Sequence, residues 1–282
     1  MPDKRIELPN ARKSDAERLQ AAAKVALNEP NETNQNPNVV TRDEWVVARK
    51  DLLAREKEFD HERDRLTEAR RNLPMVLVDK EYVFDGPQGD VTLRNLFEGR
   101  RQLIVYHLMF EPARDTACKH CSCVMDNIAG SLVHLTARDT SFAAISRAPV
   151  AKIEAFKSRM QWTFPWLSSF ENDFNYDYHV TLDPEKSSTL YNYKTFDYRG
   201  ELPGLSVFFR DEVDQILHSY STFFRGLDML LPMYHLLDRT PLGRHEEMGI
   251  SMADGEDSWI RYHDAYGDGG VRERERCCDS TS

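Results

Sequence analysis

Cysteine is scarce in this chain: there are five in 282 residues, in two clumps at 118/121/123 and 277/278 rather than spread along the sequence. So few thiols, odd in number and clustered, exclude a framework of structural disulfides and point to reduced thiols in a reducing compartment, the cytoplasm. Long apolar runs are missing too. No segment approaches the roughly 18 uninterrupted apolar residues of a spanning helix. The start Met1-Pro2-Asp3-Lys4-Arg5-Ile6-Glu7 has no apolar stretch after its charges, which disfavours a secretory signal and membrane insertion. Positive charge is in deficit, since 37 Lys and Arg against 47 Asp and Glu leave a formal net charge of −10 and a pI of about 5.4. Phosphate backbones and anionic lipid faces are repelled on average, so neither nucleic acid nor membrane is expected as a partner.

Apolar residues also vanish from Asn28 to Asn38, so residues 1–40 read as an unpacked arm. Residues 267–282 read as a polar tail whose Cys277-Cys278 pair is incidental, with lipidation or an intermolecular disulfide as minority readings. What remains, 41–266, holds enough of the 40% hydrophobic and 10% aromatic content for one core.

Thr41, three residues before Glu44, has the spacing of a capping box. From there Trp45, Leu52, Phe59, Leu66 and Leu73 recur every seven residues through a charged stretch that Pro74 ends. This predicts a long helix over 41–73 with a narrow apolar stripe, packed along its own domain or, less simply, pairing with a second copy. The polar Arg55 and Glu62 at the companion positions weaken the second option.

Short strands follow: 75–78, 82–84, a Gly86-Pro87 turn, and 91–93. Leu103 to Phe110 is nearly continuous and apolar, the habit of a central strand covered on both faces of an α/β sheet. After a polar loop, Cys121, Val124, Met125, Ile128, Leu132 and Leu135 mark an amphipathic helix beginning at the cysteines. A second βα unit comprises strand 142–146 and a helix from Pro149, in a register that suggests a right-handed crossover. Residues 161–200 show no readable pattern. A hairpin is expected from 205–209 and 215–219, then a helix over 226–237 and an ordered patch at 259–263.

The chemistry is expected at Cys118-Lys119-His120-Cys121-Ser122-Cys123. A thiol at a helix mouth meets unpaired N–H groups and the positive end of the helix, which lower its pKa and make it a nucleophile. Cys118 is placed to attack and Cys121, one turn in, to resolve the mixed disulfide. His107, at the end of the central strand, is a candidate proton shuttle or ligand, with a hydrogen-bonded core histidine as the plain alternative. His134, His179, His218 and His235 have no evident partner. Arg147 follows the second core strand, at the edge where α/β sheets place ligands. Trp162, Phe164 and Trp166 are candidates to wall a pocket over the thiols, core packing being the simpler reading.

The stretch His107–Cys121, with Ser146-Arg147-Ala148-Pro149, Phe164-Pro165-Trp166, Asp173-Phe174-Asn175-Tyr176 and Gly226-Leu227-Asp228-Met229-Leu230, resembles the DUF899 family of thioredoxin-like proteins over residues 40–266. The resemblance implies an α/β fold with a thioredoxin-like central mixed sheet flanked by helices. Leu202-Pro203-Gly204 resembles the cis-proline loop that faces the cysteines in thioredoxins, which makes Pro203, with Arg147 and Trp166, a substrate-facing candidate. His120 gives C-x-H-C, the arrangement of oxidising disulfide exchangers.

Three chemistries stay open, beside a binding module that keeps the fold without the chemistry. The first is a thiol-disulfide oxidoreductase that uses Cys118, Cys121, His120 and His107, needs no cofactor and acts on a small-molecule or protein thiol. The second is a protein holding Cu(I) or Zn(II) through Cys118, Cys121, Cys123 and His107, because soft sulfur ligands select those ions. It requires residues 118–123 to form a loop, since Cys123 on a helix lies about 200° round from Cys121. The third is a peroxidase, suggested by Pro112-Ala113-Arg114-Asp115-Thr116-Ala117-Cys118, which is one residue short of the P-x-x-x-T-x-x-C loop of peroxiredoxins.

Overall fold

Thr41 opens the first element as its spacing predicts. In the computed structural model, which describes residues 38–244 and 259–267, its Oγ1 accepts the Glu44 N–H at 3.4 Å while its own N–H donates to Glu44 Oε2 at 2.9 Å. The reciprocal cap starts α1, Arg42–Arg71. No residue of α1 is buried, and the stripe is exposed from 37% at Leu52 to 67% at Phe59. The chain divides after Leu73 into two compact units, so the single domain expected over 41–266 ends short of this helix. The expected arm up to residue 37 and the tail with Cys277 and Cys278 lie outside the described residues.

The second unit is built on an eight-stranded mixed sheet. Its strands are β1 Val76–Leu77, β2 Val83–Gly86, β3 Gly89–Thr92, β4 Gln102–His107, β5 Thr140–Ser146, β6 Trp166–Ser168, β11 Gly204–Arg210 and β12 Ile216–Phe223, ordered β1-β12-β11-β4-β5-β6-β2-β3. β4, β5 and β6 are parallel, as a sheet crossed by helices requires. α2, Lys119–Ala129, and a short α3, Leu132–Thr136, link β4 to β5, and α4, Val150–Arg159, links β5 to β6. Pro149 stands at the N-cap of α4. β11 and β12 run antiparallel beyond β4.

Residues 161–200, unreadable in sequence, hold β6, a one-turn α5 at Phe174–Asp177, and small paired strands: β7 Thr181–Leu182 with β10 Gly200–Glu201, and β8 Leu190–Tyr191 with β9 Lys194–Thr195. Two-residue strands carry no periodicity, and only tertiary contact holds them. The helix expected over 226–237 is two pieces, a 3-10 turn at Phe224–Leu230 and α6, Pro232–Leu237. Pro232 has no N–H to continue the first piece, but it fits the first turn of a new helix.

Alternation along β4 sorts the core into two. Leu103 and Val105 point to a cluster with Phe84, Phe97, Phe174 and Phe208. Tyr106 points to the opposite face, with Cys118, Cys121, Val124, Phe156 and Trp166. Fully burying side chains of this size contributes about 1.5–3 kcal/mol each. β4 ends at His107 rather than at the expected Phe110, because its backbone changes partners there: Met109 C=O accepts the Cys118 N–H at 2.9 Å, and the Phe110 N–H donates to Glu201 Oε2 at 2.9 Å.

Candidate functional site

The switch at Met109 carries the chain off the sheet edge and returns it at Cys118, the extended N-cap of α2. The Cys118 carbonyl accepts the Ser122 N–H and its hydroxyl, both at 2.9 Å. Cys118, Cys121 and Cys123 are all free thiols. The sulfurs of Cys118 and Cys121 are hydrogen-bonded to each other, and Cys118 is also reached by the Cys121 N–H and the His120 side chain. Cys118, 6% exposed, is the more accessible; Cys121 is 1% exposed.

The expected lowering of the Cys118 pKa is not what the surroundings produce. Cys121, as hydrogen-bond partner, and then burial hold the Cys118 thiol well above its ordinary value. The helix-end N–H and His120 pull the other way and are outweighed. A helix terminus acts with the strength of about half a charge, whereas a neighbouring sulfur and desolvation act at full contact.

α2 is helical from Lys119, and that decides the place of Cys123. Its sulfur lies 3.5 Å from Met233 Sδ and 3.8 Å from Asn127 Nδ2, against α6, and burial followed by Asp126 pushes its thiol up to about 12. The loop that a three-thiolate site needs is not formed. Among the described residues no group of three or more His, Cys, Asp or Glu is placed to hold a metal ion.

His107 is corrected by the same alternation that places Tyr106. Its ring lies on the opposite sheet face from the cysteines, 5.5 Å from Phe174 and 6.1 Å from Tyr178, with Nε2 2.9 Å from Ser206 Oγ. Burial lowers its pKa to about 3. It is a neutral core histidine and shuttles no proton to sulfur. Trp166 is likewise core, 1% exposed, donating its indole N–H to Ser146 Oγ at 2.8 Å. Arg147 is partly buried at the expected edge, donating to Tyr176 Oη at 2.6 Å with its guanidinium 4.7 Å from that ring. Thr116 is exposed, two residues before the buried Cys118.

Pro203 immediately precedes β11. Gly204 pairs with His107, the last residue of β4. Gly204 allows the close approach there, for a Cβ would meet Val180 Cγ1 at 2.7 Å. The peptide bond is trans, since no cis bond occurs among the described residues. The trans form of an X-Pro bond is favoured by about 0.5–1 kcal/mol unless packing demands otherwise, and here the Pro203 carbonyl is held in place by the Tyr191 hydroxyl at 2.8 Å.

Three groups at the site escaped the sequence reading. Tyr106 is hydrogen-bonded through its hydroxyl to Cys121; the sign was a phenol in a buried apolar strand, where an O–H needs a partner. Glu201 is almost wholly buried, and burial raises its pKa to about 8 against the Phe110 N–H that it accepts. Tyr262, from the patch at 259–267, donates to the carbonyl of Ala117 at 2.6 Å, and nothing in its local sequence pointed to this contact.

The strand β4, the cysteine turn and α2 lead into the parallel β5 and α4, and an antiparallel pair completes the sheet on the far side of β4. That order, with two thiols paired at the first helix, is the order of a thioredoxin-like protein. The chain belongs to the family described as bacterial protein of unknown function (DUF899), which it matches over residues 34–266. No curated protein matches the sequence.

Among solved structures the chain is similar to the peroxidoxin BcpB of Mycobacterium tuberculosis, at 13% identity over 58% of this chain and 96% of that one, with a TM-score of 0.40. It is similar to the bacterioferritin comigratory protein of Xanthomonas campestris at 14% identity, over 57% and 96%, with a TM-score of 0.41. A yeast mitochondrial 1-Cys peroxiredoxin is similar at 13% identity, over 59% and 78%, with a TM-score of 0.34. No helix among the described residues is long and apolar enough to cross a membrane.

Proposed function

We propose that this chain is a thiol-disulfide oxidoreductase of a reducing compartment, the cytoplasm, cycling Cys118 and Cys121 between dithiol and disulfide. The observation that carries this reading is the contact between the two sulfurs at the N-terminus of α2. The Cys118 thiolate attacks a disulfide of a small molecule or a protein; one substrate sulfur leaves as a thiolate and is protonated by water. Cys121 then attacks the Cys118 sulfur, the bond to the second substrate sulfur breaks, and two electrons have passed from the dithiol to the substrate.

His120 favours the Cys118 thiolate but is outweighed by Cys121 and burial, so the couple is a weaker oxidant than the C-x-H-C spelling suggests. The exchange needs no bound cofactor. The metal reading would need Cys123 turned away from Met233, and the peroxidase reading would need the exposed Thr116 beside the thiol. Purified protein should lose two titratable thiols on mild oxidation and regain both with a dithiol reductant, and Cys118→Ser should abolish exchange with a model disulfide. Exchange at the wild-type rate in Cys118→Ser would sink the proposal.

The partner for α1 is a second copy of itself. Its stripe repeats every seven residues with none of its residues buried. Arg55 and Glu62, between the apolar positions, are brought together by an antiparallel pairing, which places opposite charges across the seam. Light scattering should show a dimer, and Phe59→Glu should leave a folded monomer; identical masses for the two proteins would exclude this pairing.

A further inference from the structure

Two phenols stand against the dithiol, and only one has a proton to give it. Tyr191, on β8, donates its hydroxyl to the Pro203 carbonyl at 2.8 Å, and its oxygen accepts the Phe224 N–H at 3.2 Å. Its single proton is committed, so it acts on Cys121 only through its field. Tyr106, on β4, is 1% exposed in the same cluster as both cysteines, and its hydroxyl is hydrogen-bonded to the Cys121 sulfur.

We infer that Tyr106 is the positioning donor that stabilises the Cys121 thiolate once Cys118 is tied to substrate, and so sets the rate at which the mixed disulfide is resolved. The inference rests on the exchange reading above. A phenol O–H stabilises a thiolate more than a thiol, because charge strengthens the hydrogen bond. In the reduced protein Cys118 also partners Cys121. Once Cys118 is tied to substrate its sulfur has no proton to offer, while Tyr106 still donates to the attacking sulfur. The Cys121 thiolate forms its bond to Cys118 Sγ, the bond from Cys118 to substrate breaks, and the electron pair leaves on the substrate sulfur, which takes a proton from water. Tyr106 keeps its own proton throughout. Burial, and then the two cysteines, hold its pKa well above the ordinary phenol value, so it remains a donor wherever the thiols titrate.

Among the titratable groups around the Cys121 sulfur are Cys118 from the N-cap of α2, Tyr106 from β4 and Tyr191 from β8, with His120 beside Cys118. Replacing Cys118 with Ala leaves Cys121 in the state it has during resolution. In that background, with Cys123, Cys277 and Cys278 also replaced by Ala, Cys121 is the one thiol left, and thiolate absorbance followed against pH reports its pKa. Tyr106→Phe should raise it by about one unit, a tenfold fall in thiolate at fixed pH. In the dithiol protein the same substitution should slow release from the mixed disulfide about tenfold. A ring-fluorinated tyrosine at 106 keeps the shape and strengthens the donor, so it should lower the Cys121 pKa even if Tyr106→Phe fails to fold. An unchanged Cys121 pKa in the folded variants overturns the inference. If Cys118 and Cys121 form no disulfide at all, the exchange reading fails instead, and the titration still reports on Tyr106.

Discussion

Cys121→Ser is expected to leave the first half of the exchange intact and to stop the second. Cys118, the more exposed residue of the pair, still attacks a disulfide, and the product is a mixed disulfide that stays on the protein. In the wild type, release is intramolecular: the second sulfur already touches the first. Groups held in this way react with effective concentrations of roughly 10⁵ M or more in well-oriented cases. An external thiol at millimolar concentration cannot match that, so steady-state turnover should fall on the order of 10³-fold or further. Mass spectrometry of the quenched variant should find one substrate half per chain, at Cys118. Turnover within about threefold of wild type, with no adduct, would mean that Cys121 is not the resolving sulfur.

The second large effect is on stability. Glu201 is nearly buried, and its pKa is raised from 4.5 to about 8, first by burial, with the Phe110 N–H and Arg147 opposing. A carboxyl raised in the folded state releases its proton first in the unfolded chain. From pH 4.5 to 8, therefore, the unfolded state binds fewer protons, and stability falls as the pH rises. A shift of this size corresponds to roughly 3–5 kcal/mol across that window. Glu201→Gln keeps an oxygen for the Phe110 N–H and has no charge to bury. It should unfold at a higher denaturant midpoint than wild type at pH 8, and the advantage should shrink toward pH 5. His107, lowered to about 3, acts with the opposite sign: its stability is lost as the pH falls below 6.5. Because both proteins carry His107, its slope cancels in the difference between them. Parallel stability curves from pH 5 to 8 would show that Glu201 ionises freely in the folded protein.

What could be read in advance follows the range of the interaction behind it. The Thr41 cap, α1, β4, the start of α2 at the cysteines, β5, α4 and the β11–β12 hairpin all announce themselves within a few residues. Hydroxyl and carboxylate spacing, strand alternation and helical periodicity are local signals. The segment 161–200 was silent because β7, β8, β9 and β10 are two residues long and owe their shape to partners elsewhere in the chain. Pro232 divides the segment 226–237, since a proline can begin a new helix where it cannot continue the old one.

At the site the division is sharper. The sequence by itself determined that Cys118 and Cys121 would meet at a helix mouth, because two residues between them and an apolar three-four pattern after them leave little else. It also contained the face of His107, since a residue next to Tyr106 on a strand must point the other way. Only the tertiary structure decided the charge state. Cys118 is raised rather than lowered because Cys121 and the packed core surround it, and desolvation depends on every neighbour at once. It alone also brought Tyr106 and Tyr191 to Cys121, Glu201 to the Phe110 N–H and Tyr262 to the Ala117 carbonyl. Contacts between residues far apart in sequence leave no mark in the spacing of either one.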